Sequence, residues 1–168
     1  MTYPLRILTQ KDVQFSWKEE QETAFSQLKA SLQEDLRLSY FDTQKEPHVF
    51  VDASPVGLGA ILAQQDSDQK FRTVQIGSRS LTPVEQRYSQ TEREALAITW
   101  ACEHFHIYLY GTHFKMHTDH QALLSIYGNP KSQLPLRIER WVMRVQTYDM
   151  EILHQVGANN PADYILRQ

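Results

Sequence analysis

The stretch HVFVDASPVGLGAILAQ, residues 48–64, decides the fold. Val49, Phe50 and Val51 run straight into Asp52, and after Ala53-Ser54-Pro55 a second apolar-rich run extends from Gly57 to Gln64. Two short β-rich runs separated by turn-forming residues predict antiparallel strands joined by a tight connection. Asp52 has an ordinary reading there, since aspartate readily bends a chain by bonding its own backbone. It also has a second one, as a carboxylate presented at the end of a buried strand. Its company in the rest of the chain decides between them.

Working outward, Asp66-Ser67-Asp68 is a polar turn into a third run, Phe71 to Ser78, which completes an antiparallel meander. Thr82-Pro83-Val84-Glu85 reads as a helix N-cap with proline at the first helical position and a glutamate closing the box. A second box, Thr91-Glu92-Arg93-Glu94, opens a long helix that buries Ala95, Ile98, Trp100, Ala101 and Phe105. Phe114 to Asp119 predicts a fourth strand, and Gln121 to Tyr127 a short helix ended by Gly128-Asn129-Pro130. In Leu136 to Gln146 the apolar Ile138, Trp141, Val142 and Val145 lie opposite Arg137, Arg140 and Arg144, as on an amphipathic helix. Tyr148 to His154 predicts a fifth strand and Pro161 to Arg167 a terminal helical turn or two. This order implies an α/β domain, with a mixed five-stranded sheet of three antiparallel strands then two parallel ones, flanked by helices.

Ahead of the meander, Ser16-Trp17-Lys18-Glu19 fits a capping box for a helix carrying Trp17, Ala24, Phe25, Leu28, Leu32 and Leu36. Residues 1–47 are therefore expected to form a separate segment with an amphipathic helix, and 48–168 the main domain. At 168 residues the chain can bury a core unaided, and its single cysteine, Cys102, excludes an internal disulfide framework. Neither a run of about 18 apolar residues nor a signal-peptide pattern is visible, so no membrane partner is expected. The net charge of −3 argues against a surface built throughout for phosphate. Between Gly111 and Thr147, however, Lys115, Lys131, Arg137, Arg140 and Arg144 outnumber Asp119 and Glu139.

Asp52 does have company. Asp119 ends the predicted fourth strand in FKMHTDHQ, Glu94 lies in the first turn of the long helix, and Asp163 starts the last helical segment in NNPADYILRQ. With the first and fourth strands as neighbours, the two aspartates lie side by side and the two helix starts bring Glu94 and Asp163 against them. Taken singly, Glu94 also reads as the third position of a capping box, and Asp163 as a first-turn acid favoured by the helix dipole. Converging carboxylates raise one another's pKa and destabilise a fold unless cations lie between them. An all-oxygen set suits magnesium or manganese rather than zinc, and two such ions are the recurrent device for displacement at phosphorus. Phosphodiester hydrolysis is the implied chemistry.

VDASPVGLGAIL, YSQTEREALAITWA, YLYGTHFKMHTDHQALL and NNPADYILR resemble, in the same order, motifs of the ribonuclease H domain of reverse transcriptases from Ty3/gypsy-type long-terminal-repeat retrotransposons. PLRILTQKDVQFSWKEEQETAFSQLKASL resembles the tether that joins the polymerase part to it. The resemblance implies a ribonuclease H-like fold and an Asp-Glu-Asp-Asp set at Asp52, Glu94, Asp119 and Asp163, which would be both catalytic and metal-binding with two Mg2+ or Mn2+ ions. Glu92 competes for the second place, but the family pattern puts that acid directly before a small apolar helical run, here Ala95-Leu96-Ala97. Contacts to the hybrid's ribose 2′-hydroxyls would match Ala53, Ser54, Gln90 and Gln121. The family's usual Leu-Ser-Arg ending reads Ile165-Leu166-Arg167, and His154 stands near a loop where many ribonucleases H keep a histidine.

The function implied is a divalent-metal-dependent endonuclease cutting the RNA strand of RNA/DNA hybrids. Its partners would be the hybrid and a reverse transcriptase polymerase domain in a full-length polyprotein, located in a cytoplasmic retroelement particle or the nucleus. The alternative is a domesticated or connection-like module that binds hybrid or protein without cutting. An integrase-type enzyme carries its glutamate last, after two aspartates, which this order does not match.

Overall fold

The computed structural model describes residues 3–8, 13–35, 38–128 and 134–155. The chain divides into two compact units, Met1–Arg37 and Leu38–Arg167. In the smaller unit a short helix α1 (Tyr3–Ile7) precedes α2 (Glu19–Asp35). The α2 start differs from the sequence expectation. Lys18 rather than Ser16 occupies the cap: its carbonyl accepts from Glu22 N (3.0 Å) and its N–H donates to the Gln21 side chain (3.1 Å). Trp17 instead turns onto the helix, with its indole N–H donating to Glu22 (2.8 Å) and its ring edge-on to Phe25.

The larger unit is built on a five-stranded sheet in the order β3-β2-β1-β4-β5. β1 (Pro47–Ala53), β2 (Gly57–Gln65) and β3 (Phe71–Ser80) form the antiparallel meander, while β4 (Phe114–Thr118) pairs parallel with β1, and β5 (Met150–His154) parallel with β4. This is the mixed sheet expected from the order of the sequence runs. Ser54 makes the β1–β2 turn: its hydroxyl accepts from Gly57 N (2.9 Å) and Val56 N (3.3 Å). Asp52 lies before that turn and is paired with Gly59 across the strands. The second turn places Gln69 at a φ of 64°, closed by hydrogen bonds between Asp66 and both Gln69 and Lys70.

The helical elements of this unit are α3 (Gln90–His104), α4 (His106–Leu109), α5 (Ala122–Gly128) and α6 (Leu136–Val145). Thr82 and Glu85 exchange the expected capping-box bonds, but they close only a single 3-10 turn, Glu85–Arg87. The main core joins alternate β1 residues Val49, Val51 and Ala53 with Leu58, Ala60 and Leu62 of β2, Ala95, Ile98 and Cys102 of α3, and Ile138, Trp141 and Val145 of α6. α3 lies so close to β3 that a Cβ on Gly77 would meet the His104 ring at 2.7 Å. On the other strand phase, Phe50, Ile61 and Ala63 form a smaller cluster. There His117 stacks on Phe50, and the His48 Nδ1 and His117 Nε2 atoms share a hydrogen bond of 2.9 Å between β1 and β4.

Residues 38–46, expected as the end of the leading segment, pack within the larger unit. Ser39 N donates to Thr73 O (2.7 Å), and the buried Gln64 amide donates to the carbonyls of Asp42 and Lys45 (both 2.8 Å). The predicted terminal helix from Pro161 to Arg167 lies outside the described residues.

Candidate active site

The parallel register between β1 and β4 sets Phe50 opposite His117, so two residues further on stand Asp52, next to last in β1, and Asp119, directly after β4. Each acid follows an apolar strand whose burial brings it to the sheet's carboxyl end, where open α/β sheets present their functional groups. Glu94 arrives from α3. Oxygens of Asp52, Glu94 and Asp119 all lie within 4.8 Å of one another, with Asp52 and Glu94 buried and Asp119 half-buried. Asp163 lies outside the described residues.

How Glu94 comes to face the strands depends on where α3 begins. The cap is Ser89, not Thr91: Ser89 Oγ accepts from Glu92 N, and the Glu92 carboxylate accepts in return from Ser89 N (2.9 Å). Glu92 is therefore the capping-box acid, and it also accepts from Arg137 of α6 at 2.5 Å. Glu94, two residues on, is freed from capping and turned into the interior at 1% exposure. Arg144 pairs likewise with Glu103, so two of the three α6 arginines tie that helix to α3. Thr91, the residue expected to cap, instead shares a 3.0 Å hydrogen bond with His120, just after Asp119.

Burial, followed by the charges of Asp119 and Asp52, pushes the Glu94 carboxyl up from its usual 4.5 to about 8. Its Oε1 accepts from Gln90 Nε2 at 2.6 Å, while its Oε2 is buried with no hydrogen-bond partner among the described residues. A buried carboxylate oxygen left without a donor costs free energy that a cation would recover. The donor set is all oxygen, the three acids repel one another, and one buried Glu94 oxygen has no hydrogen-bond partner among the described residues; these residues fit a hard divalent cation.

The other candidate contacts fall around this cluster. Ala53 is buried, and its carbonyl accepts from Gln90 (3.3 Å). Ser54 is engaged in the β1–β2 turn, and Gln121 is exposed at the start of α5. The His154 ring touches the backbone carbonyl of Asp119 through Nε2 at 3.1 Å. His117 stacks on Phe50 and shares a hydrogen bond with His48 through its ring nitrogen. The hydrogen bonds of Gln90 to Glu94 and Ala53 were not foreseeable from spacing alone, although Gln90 and Glu94 stand at i and i+4.

A family model described as "RNase H-like domain found in reverse transcriptase" matches residues 17–116. Two Schizosaccharomyces pombe (strain 972) proteins, the transposon Tf2-3 and Tf2-4 polyproteins, are each 34% identical over 170 residues, covering 99% of this chain. The chain spans 13% of the length of these relatives. Among solved structures, a foamy viral protease-reverse transcriptase in complex with RNA/DNA hybrid superposes with a TM-score of 0.64 at 15% identity, covering 92% of this chain and 21% of that one. RNase H1 of Halobacterium salinarum NRC-1 gives 0.55 at 15% identity, covering 72% of this chain and 93% of its own. At such identities the likeness is one of fold.

Proposed function

Since the chain belongs to the family of RNase H-like domains found in reverse transcriptases, we propose that it is a divalent-metal-dependent endonuclease that hydrolyses the RNA strand of RNA/DNA hybrids. The observation that carries this reading is the convergence of Asp52, Glu94 and Asp119 within 4.8 Å, with one buried Glu94 oxygen lacking a hydrogen-bond partner among the described residues. Asp52, Asp119 and Glu94, with Asp163 completing the set by family resemblance, would hold Mg2+ or Mn2+. Two such ions, when bound, activate a water for attack and stabilise the leaving oxygen. The chain's own part is to hold these carboxylates on rigid elements. Asp52 and Asp119 are fixed by paired strands and Glu94 by the first turns of a buried helix, so the site needs little rearrangement before reaction.

The substrate is a hybrid contacted through its minor groove, where ribose hydroxyls distinguish RNA from DNA. Ala53, Ser54 and Gln121 border the acids and form the nearest candidates for that contact, whereas Gln90, matched to it by resemblance, has its amide hydrogens engaged by Glu94 and Ala53. A reverse transcriptase polymerase domain within a longer retroelement polyprotein is the proposed covalent neighbour, with the tether drawn from residues 1–47 and the nuclease domain from 48–168, to which residues 38–46 of the leading segment add their packing. The place of action would be the element's particle or the nucleus.

The test is cleavage of a labelled RNA/DNA hybrid, with all-RNA and all-DNA duplex controls, in the presence and absence of Mg2+ or Mn2+. Metal-dependent cutting of the hybrid's RNA strand, reduced at least about a hundredfold in Asp52→Asn, is the expected result. Hybrid binding that ignores the metal, with no cutting, would replace this reading with that of a binding module.

A further inference from the structure

Glu94 sits against two acids that repel it, and nothing in helix geometry alone stops its side chain from swinging away. What holds it is a chain of side-chain bonds along the first turn of α3. Gln90 Nε2 carries two hydrogens; one is directed to Glu94 Oε1 (2.6 Å) and the other to the carbonyl of Ala53 (3.3 Å), the residue next to Asp52. Both partners are acceptors, so the amide nitrogen must face them. The Gln90 oxygen then faces the opposite way, where it accepts from the Arg93 guanidinium at 2.6 Å. Arg93 is itself held by donating to the carbonyl of Tyr88 (3.0 Å). All of these contacts demand the same amide orientation.

Resting on the metal-dependent reading above, we propose that Gln90, oriented by Arg93, is a positioning residue that fixes the Glu94 carboxylate and ties it to the strand end carrying Asp52. It caps Oε1 and leaves the buried Oε2 as the atom offered to the cation. The guanidinium polarises the amide, which strengthens its hydrogen bond to the carboxylate. A partly positive partner also offsets the repulsion from Asp52 and Asp119. With both amide hydrogens used inside the protein, Gln90 acts on the substrate through Glu94 and not as a donor to the nucleic acid. Partners that orient a metal-ligating group change metal affinity or activity by roughly ten- to a hundredfold when removed.

The experiment titrates Mn2+ alone into the full chain, following the rise in the unfolding midpoint and the heat of binding, and separately measures kcat and KM on the hybrid. In Gln90→Ala, Mn2+ affinity and kcat should both fall by about tenfold or more, with KM for the hybrid unchanged. Arg93→Ala should shift both in the same direction, and Arg93→Lys, which keeps a donor, should recover most of the loss. The double variant should be no weaker than Gln90→Ala alone, because the two act in series. A raised KM with wild-type Mn2+ binding would make Gln90 a substrate contact and overturn the proposal. So would wild-type behaviour of both alanine variants while the unmutated chain binds Mn2+ and cuts. Failure of the unmutated chain to bind Mn2+ would instead remove the metal reading on which the proposal stands. Arg93→Ala carries the same test if Gln90→Ala does not fold.

Discussion

Glu94 and His117 give the metal-free protein opposite dependences on pH. In the unfolded chain Glu94 releases its proton near 4.5, whereas burial and the neighbouring aspartates let the folded chain keep it up to about 8. The unfolded state therefore binds fewer protons across that window, and stability falls as pH rises through it. His117 works the other way. Burial, then the His48 charge, lowers it from 6.5 to about 4, so the stability present above pH 6.5 is lost as pH falls toward 4. In a chelating buffer, urea midpoints of Glu94→Gln should lack the decline that the unmutated chain shows between pH 4.5 and 8; parallel curves would contradict this account. The two aspartates were legible in the sequence because each interrupts an apolar strand at its end. The His48–His117 bond was not, since it joins residues whose proximity only the strand register creates.

At the scale of the element, the start of α3 decides whether Glu94 serves the helix or the site. Ser89-x-x-Glu92 and Thr91-x-x-Glu94 both satisfy the capping-box spacing, so local pattern could not choose between them. Tertiary packing chooses: with the cap at Ser89, Ala95, Ile98 and Cys102 face the sheet, and Glu94 enters with them. Ser89→Ala should cost about 1 kcal/mol of stability in urea unfolding, the usual worth of an N-cap. Thr91→Ala should leave the cap intact and disturb only the hydrogen bond to His120. A larger loss from Thr91→Ala than from Ser89→Ala would restore the cap read from the sequence. The arginines of α6 repeat the lesson. Their exposed stripe resembles a phosphate track, yet Arg137 and Arg144 find acids on the neighbouring helix, a pairing that sequence period cannot reveal.

For the whole molecule, the succession of strands and helices was readable because the runs are short, strongly apolar and separated by clear turn residues, which leaves few sheet topologies. The stretch before β1 was harder. Residues 38–46 show neither helical nor strand periodicity, and their part in the larger unit lies in backbone carbonyls that satisfy the buried Gln64 amide. A chain beginning at Leu38 should retain the cooperative unfolding of the larger unit. One beginning at His48 should lose about 1–3 kcal/mol, because a buried amide is left without acceptors. Equal denaturant midpoints for the two truncations would refute that role.

The parallel pairing of β1 with β4 has a kinetic consequence as well. Asp52 and Asp119 meet only after the whole meander and α3 have been laid between them, a long loop whose closure is entropically costly and comes late. Their repulsion is thus absent from an early nucleus formed by the local hairpins and weighs on the finished state. The acidic site should therefore quicken unfolding without slowing folding.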